Sequence, residues 1–262
     1  MRDILSFADP DDQKPRDPMA SAQANMRRQL PKRFYEQVST GERDGAFHVL
    51  LDGRAVKTPG KNALAFATAG AAALVAKEFE AQGEEIDPAT MPCYRLANTA
   101  FDGVASDMQS VLEDILRFSG SDLLFYRADS PRELVERQRR SWDPVVEWAE
   151  RLAGIQLNLA EGVIHVEQPR ELFTALGVHL KEVDDPVVLA AIHSMTTLTG
   201  SALLALAVRK GELTAREAWD AAHVDEDWNI SQWGEDAEAK ERRTRRWAEM
   251  DAADRLVKAL AG

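Results

Sequence analysis

Cysteine is almost absent: among 262 residues, Cys93 is the single thiol. That excludes an intramolecular disulfide and a cysteine-built zinc cage, and it fits a reducing compartment. A lone thiol of this kind reads as a half-buried small hydrophobe rather than a nucleophile. Phosphate cradles are missing as well. No GxGxxG follows a strand and no GxxxxGKS/T occurs, which removes the usual dinucleotide and nucleotide sites. Neither a GxSxG elbow nor an HExxH helix is present. Net positive charge is lacking: the balance of −12 argues against nucleic acid, which clustered unpaired Lys and Arg would bind. No run is apolar enough to span a membrane. Residues 187–208 come nearest, but His193, Ser194, Thr196, Thr197, Thr199, Gly200 and Ser201 interrupt them. They read as one helix buried among others.

What is there describes a globular chain, with 45% hydrophobic and 29% charged residues, enough to bury a sizeable core. Basic clusters at residues 137–140 and 242–246 have acids four positions earlier, Glu133, Glu136, Glu238 and Glu241. Such spacing predicts ion pairs on a solvated helix face. Residues 1–30 carry no signal-peptide core, and their acids and prolines suggest a loosely held arm.

Residues 33–68 carry strand signals: RFYEQVS, then Asp44-Gly45, AFHVLL, Asp52-Gly53 and ALAFA. The two Asp-Gly turns predict antiparallel hairpins. Residues 69–82 change to helical period and end at Gly83, giving a small sheet with one covering helix. The prolines of IDPATMP suggest a linker, so the expected division is 31–88 for a small α+β domain and 89–262 for a helical bundle. Within the second part, Ser106 with Gln109, Ser130 with Glu133, and Thr214 with Glu217 fit capping boxes. Pro144 predicts a kink, or a restart capped by Asp143. Residues 155–169 suggest a loop or hairpin, residues 170–181 a helix, and Gly211 a helix stop. Residues 235–260 form a charged amphipathic helix with Trp247, Met250 and Leu256 as inward positions.

The segment HVDEDWNISQWGED concentrates acids and tryptophan. On a continuous helix His223 and Asp227 share a face while Asp225 and Glu226 diverge. Two ligands fall short of the three that a zinc or iron site needs. Adjacent Glu226 and Asp227 diverge too far for a glycosidase-like acid pair. An enzyme or metal site around His223, Asp225 and Asp227 is the rival reading; acids alternating with Trp228 and Trp233 also fit a polar-rimmed protein interface.

Three ordered blocks resemble a known family. RFYEQVS…FHVLLDGRAVKTPGKNALAF, LLFYRADSPRELVERQRRSWDPVVEWAE and DEDWNISQWGEDAEA are similar to signatures of the assembly chaperones for the catalytic head of F-type ATP synthase, in the branch that binds the alpha subunit. Phe79 stands where many members have Trp, and Trp228-Asn229 where eukaryotic members have Tyr-Gln. The resemblance implies the same α+β two-part fold and a non-enzymatic role without cofactor or metal. It implies a monomer that holds the unassembled alpha subunit, in the bacterial cytoplasm or, in eukaryotic relatives, the mitochondrial matrix. Asp225, Glu226, Trp228, Trp233 and Gly234 become the expected partner-binding residues. Asp52, Gly53, Lys57, Thr58 and Pro59, with Trp142, Asp143 and Pro144, are expected to be structural, as turn and helix-junction positions.

Overall fold

The computed structural model describes residues 30–162 and 164–261. The arm expected over residues 1–30 lies outside them, apart from Leu30. Strands β1 (Val38–Arg43) and β2 (Ala46–Leu51) pair antiparallel, with Val38 opposite Leu51 and Arg43 opposite Ala46. Asp44 and Gly45 join them at φ 52° and 76°, and Asp52 and Gly53 repeat this at φ 47° and 76°. Paired positive φ values match the right-handed twist of the strands, which is why Asp-Gly suits both turns. Strands β3 (Arg54–Ala55) and β4 (Ala65–Phe66) both lie on the other edge of β2.

The stretch expected as a first strand pairs only from Val38 onward. Before it, Arg33 donates its amide to Glu84, and the buried Tyr35 hydroxyl donates to the Phe79 carbonyl at 2.7 Å. The aromatic that suggested a strand is an anchor onto the next helix.

That helix, α1 (Ala69–Glu80), is capped by Thr68 and lays Ala71, Ala72, Val75, Ala76 and Phe79 on the sheet. It ends before Gly83, with Ala81 as its cap. Helix α2 (Pro92–Asp102) follows a single 3-10 turn, Pro88–Thr90. Its start lacks a local side-chain cap; instead the Glu78 carboxylate accepts from the Cys93 and Tyr94 amides, each at 2.8 Å. Burial raises the pKa of Glu78 against the lowering effect of those amides.

Helix α3 (Met108–Ser119) is capped by Asp107, not by the Ser106 box, because Ser106 lies in a preceding 3-10 turn. Residues 123–125 form another 3-10 turn and lead into β5 (Tyr126–Arg127). Helix α4 (Arg132–Ala153) runs through Pro144 as one helix. It does not restart there, because Trp142, Val145, Val146 and Ala149 keep one buried stripe across the proline, and Asp143 pairs with Arg127 instead of capping. Strand β6 (Ala160–Glu161) pairs parallel with β5, so residues 155–169 do not form the expected hairpin.

Helix α5 (Arg170–Lys181) spans the predicted residues. The apolar stretch after it is two helices, α6 (Pro186–Thr199) and α7 (Ala202–Lys210). Gly200 at φ 69° stops the first, and the Ser201 side chain caps the second through the Leu204 amide. Then come α8 (Ala215–Ala222), with the Thr214–Glu217 capping box, α9 (Val224–Trp233) and α10 (Ala237–Leu260).

Helix α6 sits at the centre, packed by α2, α3, α7 and α10. The chain's last helix returns to its first: α10 packs on α1, and the Thr68 hydroxyl donates to the Ala259 carbonyl at 2.7 Å. The buried hydrophobics of sheet and helices therefore form a single cluster.

Candidate functional site

The site is built where the second and third sequence blocks meet. Trp142 is fully buried on α4, and its indole Nε1 donates to the Ala221 carbonyl at 2.7 Å. The Arg127 guanidinium lies over the same indole, 5.2 Å from its centroid, and pairs with Asp143 at 2.7 Å. One turn earlier on α4, Gln138 donates to Asp225 at 2.7 Å. Arg137 stands over the Trp228 ring, 4.9 Å from its centroid. Three residues of one helix thus grip the end of α8 and the first half of α9. Trp142, Asp143 and Pro144 lie inside α4 and do not mark a helix junction; Trp142 fastens the end of α8, and Asp143 pairs with Arg127.

His223 is the corner between α8 and α9, the C-cap of one and the N-cap of the other. Its Nδ1–H donates to the Trp219 carbonyl at 2.7 Å, and its ring stacks on Trp219 with centroids 4.0 Å apart. Burial lowers its pKa, which favours the neutral imidazole. The continuous helix expected through residue 231 is interrupted here; the Asp227 amide still donates to the His223 carbonyl at 2.8 Å, but its side chain turns to Arg243, and Glu226 is the acid near the His223 ring.

The acids that follow separate in direction. Asp225 is held by Gln138. Asp227 forms an ion pair with Arg243 of α10, a bond that raises the arginine's pKa. Glu226, 43% exposed at its side chain, stands 3.8 Å from His223 Nε2 and otherwise faces solvent. His223, Asp225 and Asp227 thus have separate partners. No cluster of three or more His, Cys, Asp or Glu able to hold a metal occurs among the described residues.

The tryptophans also separate. Trp228 is 8% exposed under Arg137, whereas Trp233 at the end of α9 is 79% exposed. Gly234 follows at φ 88° and ψ 169°, which an L side chain rarely adopts, and Asp236 then caps α10. A large exposed aromatic beside a half-exposed acid is what a protein interface with a polar rim uses.

The first block is a loop brace. Asp52 accepts from the Glu36 and Gln37 amides at 3.1 and 2.9 Å. Thr58 bonds Asp102 at the end of α2, and Gly60 and Asn62 also donate to that carboxylate, each at 2.8 Å. A Cβ on Gly60 would come within 2.6 Å of Asp102, so Pro59-Gly60 is the turn that permits this approach. Those hydrogen bonds hold the Asp102 pKa below the usual carboxylate range. Lys57 does not join this brace.

Gln138, Arg127, Arg243 and Asp102 carry this arrangement and were not visible as site residues in the sequence. Arg137, expected to pair with Glu133 on a solvated face, covers Trp228 instead. The Glu238–Arg242 and Glu241–Arg245 pairs form as the spacing predicts, at 3.0 and 2.9 Å.

Comparison with known proteins agrees with this architecture. The Atu1473 protein of Agrobacterium tumefaciens is 51% identical, with 95% of this chain and 92% of that one covered at a TM-score of 0.85. Atp12 from Paracoccus denitrificans is 36% identical, with 88% and 98% covered at a TM-score of 0.81. Mitochondrial Protein atp12 of Schizosaccharomyces pombe is 24% identical over 231 residues, covering 80% of this chain and 76% of the relative. Residues 32–150 match the ATP12 chaperone protein family. Fold and relatives define a chaperone built from a small antiparallel sheet and a larger helical part. The chain belongs to the ATP12 chaperone family, which serves ATP synthase assembly.

Proposed function

We propose that this chain binds the unassembled alpha subunit of the F-type ATP synthase head and covers its beta-facing surface until the two subunits pair. It does so as a monomer, without cofactor, metal or a chemical step. The observation that carries this reading is the contrast within α9. Asp225 and Asp227 are tied to Gln138 and Arg243 and Trp228 is buried, while Trp233 is 79% exposed and Glu226, two turns earlier, has only the His223 ring nearby, at 3.8 Å. An isolated alpha subunit exposes a large apolar interface, which makes it prone to aggregate. A cover for it needs an aromatic anchor, a charged rim and an affinity low enough to yield to the true partner.

The units of residues 31–88 and 89–262 present this surface as one body, because α10 closes on α1. No helix among the described residues is long and apolar enough to cross a membrane. The Agrobacterium and Paracoccus relatives support placement in the bacterial cytoplasm. Co-expression with the alpha subunit tests the reading. A soluble one-to-one complex is expected, and Glu226→Lys is expected to lose it while keeping its helical circular dichroism. Alpha subunit that aggregates equally with and without this chain would refute the proposal.

A further inference from the structure

A second surface lies on the small sheet, away from α9. A groove of about 680 Å³ opens between β3, the end of α1 and the start of α2. Its walls include Val56, Phe79, Ile86 and Tyr94, and Phe34 stands at the mouth, 75% exposed. Volume and lining are those of a binding cleft.

Three features say what would fill it. First, the groove runs beside an open strand edge. The Leu51–Arg54 and Val49–Val56 pairings direct the backbone of residues 54 and 56 toward β2, as the Val56 amide bond to Val49 shows. Antiparallel alternation therefore turns the N–H and C=O of Ala55 outward. An edge of this kind accepts an added extended segment. Second, Arg54 and Lys57 both line the groove, and neither has a carboxylate within 4.0 Å among the described residues. Together they give one wall of the groove a local positive charge on a chain whose net charge is −12. Third, the Asp52 carboxylate at the same end is already taken by two backbone amides. Lys57 bridges Ala63 through its backbone, and it is thus the member of the first sequence block whose side chain no fold contact explains.

We propose that this groove binds an extended apolar segment of a partner protein whose flanking carboxylates meet Arg54 and Lys57. The segment adds alongside β3, its apolar side chains enter between Phe34, Phe79 and Tyr94, and its acids lie about 10 Å apart, the reach of three strand residues. The inference does not depend on which client α9 holds.

The test uses a fluorescently labelled hexapeptide with aspartate and glutamate flanking leucine-phenylalanine, and a counterpart carrying lysine at both acidic positions. Anisotropy with the full chain is expected to show binding of the acidic peptide only. Arg54→Glu with Lys57→Glu, and separately Phe34→Ser, are expected to weaken it at least tenfold at unchanged melting temperature. Trp233→Ser is expected to leave it intact, so loss of the α9 reading would not remove this result. Equal binding of both peptides, no binding of the acidic one, or wild-type affinity in the double variant would overturn the proposal. So would a tenfold gain on removing residues 1–29, which would assign the groove to this chain's own N-terminal segment.

Discussion

Gln138 donates through its side-chain amide to Asp225 at 2.7 Å while its carbonyl accepts the Ala128 amide at 2.8 Å. One buried side chain, 87 positions from Asp225, therefore ties the residue after β5 to the first turn of α9. Gln138→Leu keeps the bulk but strands both partners. A buried polar group left without its bond costs about 1–3 kcal/mol. Urea unfolding is expected to show a loss of about 2 kcal/mol. On the proposed function, capture of the alpha subunit should weaken as well, because α9 loses its mounting.

Trp228 and Trp233 are five residues apart on α9 and should behave oppositely. Trp228→Ala removes a buried ring and the surface on which Arg137 lies, with an expected stability loss of about 3 kcal/mol. Trp233→Ala removes a ring in solvent, so its effect on stability should stay within about 0.5 kcal/mol. If Trp233 anchors the client, its loss should weaken capture at least tenfold, since interface tryptophans contribute about 2 kcal/mol or more. Denaturation and pull-down on the same two variants separate the roles.

The features legible in the sequence are those that local chemistry decides. Asp44-Gly45 and Asp52-Gly53 specify their turns, and Thr214 with Glu217 specifies a cap, within a few residues. The α6–α7 break was written in the same code, as Gly200 followed by Ser201. It was hidden because both helices are apolar on nearly all sides and so give no change of period. The parallel pairing of Tyr126 with Ala160 is a long-range contact with no local signature. Trp228 and Trp233 could not be sorted while α8 and α9 were read as one helix, because the corner at His223 resets the phase. Gln138 was invisible for another reason: a polar residue is assigned to the surface unless its partner is known, and Asp225 lies far away in sequence.

Trp142 joins the second block to the end of α8, just ahead of the third, through its Nε1 bond to Ala221. Trp142→Phe deletes that donor, leaves the Ala221 carbonyl unmet in a dry environment, and opens space beneath Arg127. The lost bond and the residual void together are expected to cost about 3 kcal/mol. Asp143→Ala removes a partly exposed partner of Arg127 and should cost less, about 1–2 kcal/mol, because it leaves a buried cation with one bond fewer. Reversed order of these two losses in denaturant unfolding would show that the Arg127–Asp143 pair, not the indole bond, contributes more to the fold.

Asp122 gives the fold a pH dependence of definite sign. It is fully buried between the turn before β5 and the start of α7, accepting from the Leu124 amide at 3.1 Å and the Leu203 amide at 3.0 Å. Burial pushes its pKa up to about 6, against the lowering effect of these donors. The folded chain then holds a proton that the unfolded chain, ionising near 3.8, has released. Between these values folding takes up a proton, so the contribution of this group to stability falls as pH rises toward 6, and it is fully retained below about 3.8. Asp122→Asn removes this titration and turns a donor toward one of the two amides, with an expected loss of about 2 kcal/mol at pH 7. Urea unfolding of both proteins from pH 4 to pH 7 checks the point. The gap between wild type and variant should be widest at the acid end and narrow as pH rises; a constant gap would mean that Asp122 stays ionised in the fold throughout.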